Sequence, residues 1–94
     1  MATTADKELA RRALAILQSA SHSEPAIAAT AIRPLRMPVG ITTLDDPPDR
    51  AEAWLALCRL HDALEKSPTS EIVTSCWNDA IAQTEKWIAA LPAS

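Results

Sequence analysis

Two cysteines and one histidine are the side chains with the clearest potential for chemistry in this chain. Cys58 and His61 are spaced i, i+3 on a predicted helix, so they share one face of it. Cys76 lies on the next predicted helix and falls level with Cys58 if the two helices are antiparallel neighbours. Two thiolates and an imidazole suit zinc, although structural zinc sites usually have four ligands. The spacing therefore raises the hypothesis of a small-ligand or metal-binding regulator.

The same three residues have two other interpretations. A reversible Cys58–Cys76 disulfide needs Cα atoms ~4.4–6.8 Å apart, which is closer than most helix pairs allow. Core packing is the interpretation we favour, because a free cysteine behaves as a small apolar group and no CxxC or HxxxH pair is present. We therefore assign no metal ligand, no cofactor and no catalytic residue from the sequence.

Enzymatic chemistry lacks its usual sequence features here. Gly40 is the single glycine, so no glycine-rich loop can hold a phosphate, and no strand-to-helix elbow presents a nucleophile. The carboxylates are scattered singly along predicted helices, as is typical of solvated faces. We predict that the protein is not an enzyme.

The elements that position these residues are predicted to be helices. Nineteen alanines and one glycine favour an all-α fold, because alanine loses the least entropy in a helix. We expect a first helix over Thr4–Ala20 and a short second helix that is capped by Ser23 and ended by Pro34. Asp-Pro-Pro-Asp before the third helix is a start signal, and that helix reaches Lys66. A fourth helix follows, from about residue 68 or 70 to 91.

The last two predicted helices are joined by very few residues, which favours an antiparallel hairpin. We predict one domain, residues 1–94, as a small bundle of three to four helices. It comprises N-terminal helices in 1–33, a long extended crossover arm in 34–46 and the hairpin in 47–91. The third helix is apolar over about 220° of its circumference, so it is either central in the fold or packed against a second chain.

The predicted arm alternates apolar and other residues over Leu35, Met37, Val39 and Ile41. A period of two is typical of an extended segment with one side on a surface. Three arrangements are compatible with this pattern: a crossover packed on its own domain, an arm exchanged between two copies, and a docking segment for another protein.

Charge and hydropathy narrow the possible partners. Residues 51–94 carry six acidic and three basic side chains, which accounts for the whole net charge of −3. Without clustered Lys and Arg we expect no nucleic-acid binding. No apolar run approaches the ~18–20 residues of a membrane span, so we expect no membrane association. Two cysteines without a disulfide framework indicate a cytoplasmic setting.

Together these patterns favour a small non-catalytic protein-interaction module, such as an accessory subunit, an inhibitor or an adaptor. We expect it to self-associate as a homodimer through the third helix and the arm. The alternative is the regulator that uses Cys58, His61 and Cys76. The predicted interface residues are Leu35, Met37, Val39, Ile41, Leu44, Trp54, Leu57 and Leu60.

Overall fold

The computed structural model describes residues 4–40, 48–66 and 70–91, and the regular elements within these ranges are all helical. A 3-10 turn over Arg33–Leu35 joins the second and third helices. The helices are α1 (Thr4–Ala20), α2 (Pro25–Ile32), α3 (Arg36–Gly40), α4 (Pro48–Lys66) and α5 (Ser70–Ala90). The all-α fold class is confirmed for the described part of the chain.

Helix α1 has the bounds predicted from the sequence, Thr4–Ala20. Its buried side chains recur at helical spacing, and three of the four are alanines: Ala10, Ala13, Leu17 and Ala20. Small side chains at these positions leave room for neighbouring helices to approach. Helix α1 packs mainly against α5, and also against α2.

Helix α2 starts one residue later than Ser23 capping would require. Its N-cap residue is Glu24, which has an extended backbone and makes no side-chain capping bond. Pro25 takes the first helical position, where a missing N–H costs nothing. The Ser23 N–H instead donates to the Ala20 carbonyl at 2.9 Å, so Ser23 belongs to the turn that closes α1.

The extended arm is wrong for residues 34–40, because the chain stays helical there. Pro34 has no N–H to donate, and the chain tightens to a 3-10 turn at that point and then continues as α3. Leu35 and Val39 are four residues apart, a spacing that places two side chains on one side of a strand and also on one face of a helix. Met37 separates the two possibilities: it is 77% exposed, whereas Leu35 and Val39 are buried.

Helix α4 is the central helix of the described fold. It contacts α2, α3 and α5, which explains why its apolar face is wider than that of a surface helix. Leu55 remains 39% exposed on its outer side. Its buried positions are Arg50, Ala53, Ala56, Leu57, Leu60, His61 and Leu64.

Helix α5 shares with α4 the most extensive interhelical contact in the described chain. Trp77, Ala80 and Trp87 are buried on the face of α5 that joins the core. Thr84 is buried on the same helix, and its hydroxyl donates to the Ala80 carbonyl at 2.8 Å, which satisfies the polar group within the helix.

Candidate functional site

The predicted metal or ligand cluster does not assemble as a metal site. Cys58 and Cys76 are free thiols, and both are half-buried. His61 is buried, and both of its ring nitrogens are already bonded to protein side chains. Within residues 4–40, 48–66 and 70–91, no group of three or more His, Cys, Asp or Glu side chains is arranged to hold a metal ion.

The partners of His61 fix its tautomer. Arg36 Nη1 lies 2.9 Å from His61 Nδ1, and a guanidinium can only donate, so Nδ1 is the acceptor. The proton of the neutral ring is therefore on Nε2, which lies 2.8 Å from Glu65 Oε1 and donates to it. His61 therefore links Arg36 on α3 to Glu65 on α4. With both nitrogens engaged, it is not positioned as a free base or a metal ligand.

Arg50 is the most connected polar side chain in the described fold, although it lies in the first turn of α4. Its side chain is only 5% exposed. Its Nε donates to the Val39 carbonyl at 3.1 Å, and its Nη2 donates to the Pro38 carbonyl at 2.8 Å. The last carbonyls of a helix have no partner within that helix, so the guanidinium caps the C-terminal end of α3.

A third guanidinium nitrogen, Nη1, and the flat face of the Arg50 guanidinium reach two other helices. Nη1 lies 3.3 Å from Asp6 Oδ1 in the first turn of α1. The guanidinium carbon lies 5.4 Å from the centre of the Trp87 ring on α5, which is cation–π distance. Arg50 therefore connects α1, α3, α4 and α5 through one buried charge.

Trp54 makes the second attachment of α3 to α4. Its indole N–H donates to the Arg36 carbonyl at 2.8 Å. The ring also approaches Gly40 so closely that a Cβ built there would lie 2.7 Å from the indole nitrogen. Gly40 has an ordinary negative φ, so its side-chain-free surface is required for close packing and not for a left-handed turn.

The structure separates the predicted interface residues into three groups. Leu35, Val39, Leu57 and Leu60 are buried by the chain's own helices. Met37 is exposed, and Trp54 is half-buried with its N–H bonded internally. Ile41 and Leu44 lie outside the described residues. Contact of any of these residues with a second chain stays a prediction.

The surface of the described chain offers four exposed large apolar side chains: Ile27, Met37, Leu55 and Ile72. It also offers an open groove of about 440 Å³ between α2 and α4. His61 and Leu64 contribute to one wall, and Ala26 and Ala29 contribute to the other. The groove therefore lies between the two helices, beside the buried His61.

Sequence reasoning missed Arg50, although a signal was available. Position 50 lies three residues before Ala53 and seven before Leu57, so it falls on the apolar stripe of α4. An arginine on such a stripe either disrupts the core or is fully paired within it. The Trp87 ring beneath it is fully buried, and its N–H has no partner in the described part of the chain.

None of the described helices combines the length and apolar character that crossing a membrane requires. Comparisons with protein-family models, with curated proteins and with solved structures found no match to this chain.

Proposed function

We propose that this protein is a small non-catalytic protein-interaction module that associates with a second copy of itself. The observation that carries the proposal is how α3 is held. Arg50 and Trp54 from α4 bond three of its five backbone carbonyls, and Arg36 bonds His61. The side chain that this fixed helix presents to solvent is Met37, 77% exposed.

An apolar side chain on a pre-ordered helix suits protein association for two reasons. Binding costs less entropy when the contacting segment is already fixed. Methionine is unbranched and polarisable, so it adapts to the shape of a partner surface. Single exposed apolar residues are ordinary on protein surfaces, and the proposal therefore rests on the ordering of α3 together with the exposure of Met37.

Helix α4 supplies the second part of the proposed surface. Leu55 is exposed on its outer side. Asp62, also on α4, forms an ion pair with Arg36 of α3 at 3.7 Å. In this proposal α4 and α5 form an antiparallel hairpin, and the outer side of α4 with α3 faces the partner. The free thiols of Cys58 and Cys76 are consistent with the cytoplasmic setting that we propose.

The small-ligand regulator remains the second candidate because the groove beside His61 has a volume in the range of ligand sites. Its metal-binding form would require His61 to give up a bond to Arg36 or Glu65. Metal analysis of protein purified without a tag tests that form. Stoichiometric zinc would support it, and substoichiometric metal would remove it.

The test of the interaction proposal compares three aspartate variants by light scattering and urea unfolding. We expect Met37→Asp to weaken association while changing the free energy of unfolding by less than about 0.5 kcal/mol, as is usual at exposed sites. Ile72→Asp is the matched control, since Ile72 is 50% exposed on α5, which is not part of the proposed surface. Val39→Asp should instead unfold the chain, because Val39 is 2% exposed. Equal association of the Met37 and Ile72 variants would refute the proposed surface.

A further inference from the structure

The groove between α2 and α4 has an apolar lining and a charge on each side. Ala26 and Ala29 from α2 face Leu64 from α4 across it. Arg33 stands at the α2 side, and Glu65 stands at the α4 side. Both charged side chains are exposed, so an incoming surface can reach them.

Arg33 and Glu65 differ in the contacts that they already make within the chain. Arg33 forms no ion pair with any residue in the described ranges, and it does not reach Glu65 across the groove. Glu65 accepts a bond from His61 through Oε1, and its side chain is 56% exposed. A carboxylate has two oxygens with about four acceptor sites, so Glu65 can still take a cation from outside.

A patch with one cation and one anion on opposite sides of an apolar groove is complementary to itself. Rotation by 180° brings the cation of one copy against the anion of the other, and the reverse contact forms at the same time. We infer that the groove is a two-fold interface in which Arg33 of each copy pairs with Glu65 of the second copy. This inference rests on the self-association proposed above and specifies its contacts.

The groove is continuous with the surface proposed for association. Arg36 is the neighbour of Met37 and bonds His61 in the groove wall, so α3 borders the groove. Glu65 lies three residues after Asp62, on the same outer strip of α4. Ile27, on the same helix as the groove residues Ala26 and Ala29, is 59% exposed. The occupant we infer is a second copy, because the two charges of the patch are complementary to those of an identical patch.

Charge reversal tests the pairing directly, by measuring sedimentation of each variant at concentrations where the wild type is dimeric. Arg33→Glu alone places two carboxylates at each contact, and Glu65→Arg alone places two guanidinium groups there. We expect each single variant to dissociate ~10–100-fold more readily than the wild type, because two symmetric attractions become repulsions. A 1:1 mixture of the two single variants should form a heterodimer, since both contacts are then complementary. The double variant should also recover the dimer.

Circular dichroism of each variant checks that it is folded. If a charge reversal unfolds the chain, the milder variants Arg33→Ala and Glu65→Gln replace it in the sedimentation experiment. Glu65→Gln keeps an acceptor for His61 and removes only the charge. Dimers of the single variants as stable as the wild type would overturn the groove pairing and leave self-association standing. Failure of the mixture to associate would also overturn it. A wild type that is monomeric at every concentration would overturn both proposals.

Discussion

The Arg50→Met variant isolates the contribution of the buried guanidinium. Methionine keeps an unbranched apolar stem in the space beside Trp87, so the main change is the loss of the charge and its donors. The carbonyls of Pro38 and Val39 lose their donors, and the carboxylate of Asp6 loses a cation 3.3 Å away. Helix α3 therefore loses its C-terminal attachment to α4.

The expected cost follows from these contacts. Hydrogen bonds that involve a charged group contribute about 1.5–3 kcal/mol each, and a cation–π contact contributes about 0.5–2 kcal/mol. Against this, the variant no longer desolvates a guanidinium, which returns several kcal/mol. Breaking a buried charge pair from one side costs about 3–5 kcal/mol net. Since a chain of this length has roughly 5–9 kcal/mol of total stability, Arg50→Met should lose about a third of it or more.

Urea unfolding followed by circular dichroism measures this cost, with Arg59→Met as the matched control. Arg59 is exposed on the same helix, so its replacement should change the free energy of unfolding by less than about 0.5 kcal/mol. An Arg50→Met variant within about 1 kcal/mol of the wild type would refute the reasoning. It would mean that apolar packing, not the guanidinium, holds α3 to the bundle.

Two further substitutions and one thiol measurement test the other contacts. Gly40→Ala should destabilise the fold by about 1–2 kcal/mol in urea unfolding, because its Cβ would lie 2.7 Å from the Trp54 indole nitrogen; in a Trp54→Leu background it should instead stabilise, and the same loss in both backgrounds would contradict the contact. His61→Leu should cost less than about 1 kcal/mol despite its burial, because both of its partners are partly exposed and can bond water; a loss above about 3 kcal/mol would contradict this. When protein kept without reductant is denatured, both Cys58 and Cys76 should react with a thiol reagent. If no thiol reacts, the two cysteines form a disulfide.

The helices with strong boundary signals were predictable from sequence. Helix α1 has its predicted bounds, and α4 ends at Lys66 as predicted. Their apolar stripes are long enough to separate a period of 3.6 from a period of two. The same rule failed at residues 34–40 because Leu35 and Val39 fit both periods, and Pro34 was expected to end the preceding helix.

The polar contacts of the candidate surface could not be derived in the same way. Arg50 bonds backbone carbonyls, and carbonyls carry no sequence signal. The bond from Trp54 to the Arg36 carbonyl depends on where α3 docks, which in turn depends on a helix that the sequence pattern did not predict. The wide apolar face of α4 indicated a central position or a second chain, and the structure accounts for most of it within one chain.

Light scattering on the untagged wild type, across a concentration series, tests the central claim most directly. We predict that the mass rises with concentration to twice the 10.1 kDa of one chain and that added salt shifts the rise to higher concentration. A mass of one chain at every concentration would contradict self-association, and the exposed Met37 and the α2–α4 groove would then require a different partner.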